Sequence, residues 1–298
     1  MIFAISFVGF LVINLIYIKL WKKNSIKTPT GIGIFLLIPF AFYCFNQNIN
    51  LYASISLFSC SIIYYFDDLI KINFKIRIFL QILASIIILN LYKDLININY
   101  LILIIFLFFL ITNSLNFQDG EDLNIFILLF FIFFLFYFYS NQQITRDTSL
   151  LILSYLICFA FFNRKPNTLF FGDSGCYIVT IILFIFLINE FDNLNLIKSV
   201  SAVLLFPLTD IGVVIIFRVL KKENLLSRNY HHIYQKLHVK INGLIYLLPN
   251  VFFAVVNFCL LKYLYFSIFN IIYILFFNLF SCLIIQFSIY KLFHNVNK

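Results

Sequence analysis

The chain has 298 residues, of which 63% are hydrophobic, 20% aromatic and only 11% charged, with a formal net charge of +9 and a mean hydropathy of +1.02. No water-soluble globular domain keeps that much apolar surface in solution, so the composition excludes soluble enzymes and binding modules and points to an integral membrane protein. The six cysteines form no C-x-x-C pair and lie mostly inside apolar runs, where a thiol acts as a small hydrophobe; a disulfide framework and a zinc site are not expected.

In chain order, apolar runs approaching the roughly 20 residues that cross a bilayer fall near 2–20, 32–46, 49–66, 78–92, 100–117, 124–140, 149–163, 174–189, 199–217, 243–264 and 266–290. The spacing predicts an all-α polytopic bundle of about eleven transmembrane helices, or ten if the last two runs are continuous, forming a single membrane domain over 1–298. The fourth and seventh runs are the short ones. The first run has no basic residue before it and Trp21, Lys22 and Lys23 after it, as expected of a retained anchor with its N-terminus outside. The C-terminus is then cytoplasmic. Heavy use of Asn, Ile, Lys and Phe looks like biased base composition, so isolated Asn and Lys residues carry little expected information.

With that orientation, of the 21 basic residues only Lys93, Arg146, Lys198 and Lys262 fall on the outer side. The asymmetry obeys the positive-inside bias and accounts for the net charge without a nucleic acid partner. Acidic residues sort as well. Asp94, Asp147, Glu190 and Asp192 fall in short outer loops and read as solvated linkers, whereas Asp67, Asp68, Asp119, Glu121, Asp122, Asp173 and Glu223 share the cytoplasmic side. All of these but Glu223 stand where a helix meets its loop. Carboxylates at that depth cost a few kcal/mol unless water, a metal or a cation meets them. Several on one face suggest a shared site for a hard cation, and Mg²⁺ takes oxygen ligands together with phosphate.

Asp173 lies in "FGDSG", at the first residue of the eighth predicted helix. Its simplest use is to cap that helix, while Gly172 and Gly175 allow close backbone approach and the helix start favours anions. Asn116, Asp119 and Asp122 are spaced three apart and would be neighbours if the fifth helix continues through them. His231 with Gln235, and His232 with Lys236, are spaced four apart and would pair on a helix. No H-x-x-x-H spacing makes the histidines a metal box.

Four stretches in order, "YYFDDLIKINFKIRIFLQ", "NSLNFQDGEDLN", "FNRKPNTLFFGDSG" and "PLTDIGVVIIFRVL" followed by "NYHHIYQKL", resemble the polyprenyl-phosphate N-acetylhexosamine-1-phosphate transferases of glycosyltransferase family 4. Together with "TPTGIG", the resemblance spans 27–237 and puts every motif on the predicted cytoplasmic face, in loops 21–31, 67–77, 116–124, 163–175 and 218–242. It implies transfer of a sugar 1-phosphate from a UDP-N-acetylhexosamine to undecaprenyl phosphate, releasing UMP, with Mg²⁺ or Mn²⁺ as cofactor. It also implies a multi-pass protein of the inner (cytoplasmic) membrane with lipids around it; a homodimer is compatible with it.

By residue, the resemblance implies catalytic roles for Asp67, Asp68, Asp119 and Asp122 and a magnesium ligand in Asp173. Substrate contacts follow for Thr30, Asn116, Asn163 at the uridine, Phe170 stacking on the base, and His231, His232 and Gln235 at the diphosphate. Asp67 and Asp68 face about 100° apart on a helix and are not expected to do the same job. The sequence departs from the family where "DGxDG" is common: Leu123 replaces a glycine, which makes Asp122 less secure than Asp119. "HHIYQ" in place of three histidines is closer to the branch that starts O-antigen or capsule glycans than to lipid I synthase, which stays as the alternative. A secondary transporter using the acids is the reading from another class, though no internal repeat supports it.

Overall fold

A computed structural model describes residues 2–24, 28–95, 98–164, 169–223, 231–240, 244–263 and 268–294. Parts of three predicted cytoplasmic loops, at 25–27, at 165–168, and at 224–230 with 241–243, therefore lie outside the described residues. Those described are helical, with no strand among them. This is the arrangement apolar surroundings demand, because a helix satisfies its backbone within itself.

The chain divides into two compact units, 1–196 and 197–298. The first contains α1 (Ile2–Asn24), a 3₁₀ turn at Ile32–Leu36 leading into α2 (Leu37–Asn46), α3 (Leu51–Ile70), α4 (Phe74–Leu91), α5 (Leu101–Gln118), α6 (Asn124–Tyr139), α7 (Gln143–Phe162) and α8 (Gly172–Asn189). In the second, α9 (Leu194–Leu220), which starts just before the boundary, is followed by α10 (Ile233–Lys240), α11 (Leu248–Tyr263) and α12 (Ile268–His294).

Among the described residues nine helices are long and apolar enough to cross a membrane, and the segments at Ile32–Asn46 and Asn124–Tyr139 are apolar but shorter. The shortfall thus sits in the second and sixth predicted spans, not the fourth and seventh. α4 and α7 are longer than their apolar runs because polar residues start them. Asn73 caps α4 through the Lys75 N–H at 3.0 Å, and in α7 Gln143 bonds Asp147 and Arg146, each at 2.8 Å. Asn50 likewise caps α3, accepting from the Tyr52 and Ala53 N–H groups. These asparagines have definite local roles, contrary to the expectation that they carry little information.

Helix α8 is the axis of the first unit, with 78% of its span buried. It lies against α3, α4, α5 and the 3₁₀ turn. Tyr177 stacks on Tyr64 of α3 with ring centroids 4.3 Å apart, and its hydroxyl donates to the Leu80 carbonyl of α4 at 2.8 Å. Gln81 donates to the Tyr64 hydroxyl at 2.9 Å. This packing fixes the ends of α3 and α4 beside the start of α8.

One outer-side expectation fails. Glu190 is 3% exposed and accepts from the Asn141 and Gln142 N–H groups at 3.1 Å, from Ser140 Oγ and from the Asn193 amide. It fastens the α6–α7 connection to the end of α8, while Asp94 and Asp192 are exposed as expected.

In the second unit, Asn257 of α11 and Asn278 of α12 exchange reciprocal amide bonds of 2.9 and 2.8 Å. Such polar pairs join helices where water cannot. Pro207 lies inside α9, four residues after Val203, whose carbonyl loses its helical donor there.

Candidate functional site

The cluster in the first unit is built from helix ends. α3 ends at Ile70, with Lys71 in a left-handed conformation at φ 54°. The turn is held by Asp67, whose Oδ1 accepts from the Ile72 N–H at 2.8 Å. Asp67 is 5% exposed, and its Oδ2 faces Arg77 Nη1 at 3.2 Å. The same Arg77 nitrogen is 3.4 Å from Asp173 Oδ2. One guanidinium, in the first turn of α4, thus joins a carboxylate from the end of α3 to one from the start of α8.

Asp173 does not cap its own helix. The residue before α8, Phe171, makes no side-chain capping bond, and acids from elsewhere take the N–H groups. Asp119 accepts from Phe171 N at 3.1 Å and from Gly172 N at 2.7 Å. Asp68 accepts from Asp173 N at 2.8 Å, and from Ser174 N and Ser174 Oγ at 3.1 and 2.6 Å. Enclosure by the protein pushes the Asp119 carboxyl up to about 8, with Asp68 and Asp173 adding to the rise and the two N–H donors opposing it. A divalent cation nearby would pull it down.

The "TPTGIG" segment closes the cluster from the other side. Gly33 N donates to the Phe171 carbonyl at 2.9 Å and Phe170 N to the Pro29 carbonyl at 3.0 Å. The two stretches lie so close that a Cβ on Gly172, at φ 88°, would sit 2.4 Å from the Gly31 Cα, and one on Gly33 would sit 2.3 Å from the Gly175 Cα. Only glycine fits these positions. Thr30 is part of this segment, and its carbonyl accepts from the Tyr17 hydroxyl.

The fifth helix stops at Gln118, so Asn116, Asp119 and Asp122 do not form the predicted helical row. A turn follows, closed by Asn124 Nδ2 donating to Gln118 Oε1 at 2.7 Å, and Asp122 is buried within it. Leu123 occupies the left-handed region at φ 61°, which explains glycine as the residue common there in the family. Asn163, fully buried, accepts from Leu123 N through Oδ1 at 2.6 Å and donates to the Leu169 carbonyl at 2.6 Å. It ties the 119–124 turn to the segment entering α8. Phe170 is partly exposed beside it.

His231, His232 and Gln235 belong to the second unit. Helix α10 begins at Ile233, so the predicted pairing of the histidines on a helix does not hold. His232, 2% exposed, has Nδ1 2.8 Å from Asp210 Oδ2, and Asp210 Oδ1 also accepts from Ile233 N at 3.3 Å. His231 Nε2 lies 3.1 Å from Glu223 Oε2. Gln235 is buried.

Sequence reasoning missed Arg77, counting it only as a topological charge, and missed Ser174. The signal for Arg77 was its place two residues after Lys75 in a first turn capped by Asn73, a few residues beyond the paired aspartates. Nothing local marked Ser174.

A divalent cation, implied by the motifs, can be tested against this geometry. Among the described residues no group of three or more His, Cys, Asp or Glu side chains is close enough to enclose a metal. Two carboxylate oxygens, on Asp67 and Asp173, nevertheless converge on one cationic atom. Mg²⁺ is commonly held by one or two carboxylates and completed by water and substrate phosphates. The donor set fits that mode and not a closed protein cage.

A search of curated proteins finds no match to the chain. A family model does match: residues 50–191, which carry Asp67, Asp68, Arg77, Asp119 and Asp173, fit glycosyl transferase family 4, so the region that builds this site belongs to the family of polyprenyl-phosphate sugar-1-phosphate transferases that its motifs resemble.

Proposed function

We propose that the protein transfers an N-acetylhexosamine 1-phosphate from a UDP-sugar to undecaprenyl phosphate, releasing UMP and starting an O-antigen, capsule or related envelope glycan. The family supports sugar-1-phosphate transfer to a polyprenyl phosphate as the kind of activity. The observation that carries the finer reading is the convergence of Asp67 and Asp173 on one cationic position at the ends of apolar helices. Phosphoryl transfer requires mainly positioning and charge compensation, and such a site supplies both where a lipid phosphate meets a nucleotide.

In this reading Asp67 and Asp173 hold Mg²⁺, which compensates phosphate charge when bound. Arg77 is the guanidinium that meets substrate phosphate, as planar donor forks suit phosphate oxygens. Asn163 sets the wall of the nucleotide site, and Phe170 offers a ring for the uracil base. Asn116 and Thr30 line the approach; for His231, His232 and Gln235, which belong to the second unit, a contact with the diphosphate rests on the motif resemblance alone. We place the site at the cytoplasmic face of the inner membrane, with the N-terminus outside.

Purified protein in nanodiscs with undecaprenyl phosphate and Mg²⁺ should release UMP from UDP-N-acetylglucosamine or from a 6-deoxy relative such as UDP-N-acetylfucosamine or UDP-N-acetylquinovosamine. Release only from UDP-MurNAc-pentapeptide would make it a lipid I synthase, and release from none would remove the enzyme reading. For orientation, a cysteine at Asp192 should be labelled from outside by an impermeant thiol reagent and one at Lys221 should not. The reverse pattern would invert the topology.

A further inference from the structure

We infer that the adjacent aspartates at the end of α3 divide the work: Asp68 is a positioning residue that, with Asp119, holds the first turn of α8 and so places Asp173, while Asp67 is the member turned toward the cation. The functional half of this inference rests on the reading of Asp67 and Asp173 as cation ligands. Its structural half does not.

A helix start leaves several N–H groups without partners in its own backbone. At α8 the N–H groups of Phe171, Gly172, Asp173 and Ser174 are consecutive, and each is accepted by a carboxylate from another helix or turn. The acceptors stand far off in sequence, Asp119 52 residues from Phe171 and Asp68 105 residues from Asp173. Asp68 spends both oxygens here and takes the Ser174 hydroxyl as well. Asp67, about 100° round the helix, bonds its own turn through Oδ1 and presents Oδ2 to Arg77.

The surrounding glycines fit the same division. A Cβ on Gly31 would lie 2.9 Å from both Cβ and Oδ2 of Asp68, and one on Gly172 would lie 2.7 Å from Asp68 Oδ1. Two glycines from separate segments thus leave the space that Asp68 enters to reach the helix. Because one of the N–H groups it holds is that of Asp173 itself, a loosened Asp68 displaces the Asp173 carboxylate directly.

The test is hydrogen–deuterium exchange on the full-length protein in nanodiscs, followed over 171–175. An asparagine at 68 keeps the shape, but one of its two end positions is a donor aimed at N–H groups. Asp68→Asn should therefore speed exchange of the 171–174 amides by about tenfold or more, and Asp67→Asn should leave it unchanged. Unaltered exchange over 176–186 certifies that the variants are folded. Should Asp68→Asn fail that check, Ser174→Ala, which removes one bond to Asp68, should give a smaller acceleration of the same amides. Unchanged exchange in the folded Asp68 or Ser174 variant, or equal acceleration in Asp67→Asn, overturns the inference.

A magnesium titration of UMP release reads the consequence. Asp68→Asn should need about tenfold more Mg²⁺ for half-maximal rate and approach the wild-type rate at saturation, whereas Asp67→Asn should not recover. An Asp68→Asn rate that stays low at saturating Mg²⁺ would make Asp68 a direct participant and overturn its positioning role. If the wild type releases no UMP from any donor, the proposed reaction fails while the exchange data still decide the clamp.

Discussion

Asp68 in the first unit and Asp210 in the second are both acids carried by apolar helices, and each is met in a different way. Asp68 and its neighbours Asp67, Asp119 and Asp173 gather several carboxyl groups around backbone N–H donors and one arginine. Asp210, 2% exposed, is matched one to one by the His232 imidazole at 2.8 Å, with Ile233 N and the Gln286 amide on its other oxygen. The first arrangement gathers more carboxyl groups than cationic side chains and, in the proposed reading, is completed by a cation from outside. The second is closed within its own unit and pins the start of α10. Excess charge marks a site where substrate or metal completes the structure, whereas matched charge marks a joint.

The comparison is sharpest at Asp173. If the first cluster is completed by Mg²⁺, Asp173→Asn should lower Mg²⁺-dependent UMP release by about a hundredfold or more. Because that side chain caps no N–H of its own helix, membrane insertion should be unaffected; near-normal activity at ordinary magnesium would remove Asp173 from the site.

Asp67→Asn should cost slightly less, about tenfold to a hundredfold. The defect should persist as pH rises from about 6.5 to about 8.5, a range over which a phosphate monoester with a second pKa of about 6 sheds its remaining proton. A recovery of tenfold or more relative to wild type across that range would show that Asp67 acts as a base on the lipid phosphate.

On the other side of the comparison, Asp210→Ala should destabilise the protein by about 3 kcal/mol by leaving the His232 ring without its buried partner. Thermal unfolding in detergent measures this, and Asp210→Asn, which keeps an acceptor, should recover part of the loss. An Asp210→Ala protein of wild-type stability would mean that the second cluster is no joint.

The smallest effect is expected at Leu123, where a left-handed backbone costs a side-chain-bearing residue about 1 kcal/mol. Leu123→Gly should raise the unfolding midpoint modestly with the Asn163 bond intact. A lowered midpoint would show that the leucine side chain contributes more by packing than it costs in strain.

The sequence by itself determined the membrane class, the placing of the helices and the stretches that carry the acids. Those depend on runs of apolar side chains and on nearby residues, which the bilayer reads locally. It also carried the resemblance to glycosyl transferase family 4, whose model matches residues 50–191, because the motifs stand in order along the chain. It placed the second and sixth runs almost where the structure has them but left α4 and α7 too short, since the asparagine cap at Asn73 and the Gln143 bonds extend a helix beyond its apolar run. Only the tertiary structure decided which partners each acid meets. Asp173 looked like the cap of α8 and is not, Glu190 looked solvated and is buried, and Asp67 and Asp68, expected to differ, have partners that no local pattern named. Hydrogen bonds to Asp68 and Asp119 come from N–H groups more than fifty residues away, and the charge of a carboxylate is governed by what surrounds it in space, which no local pattern records.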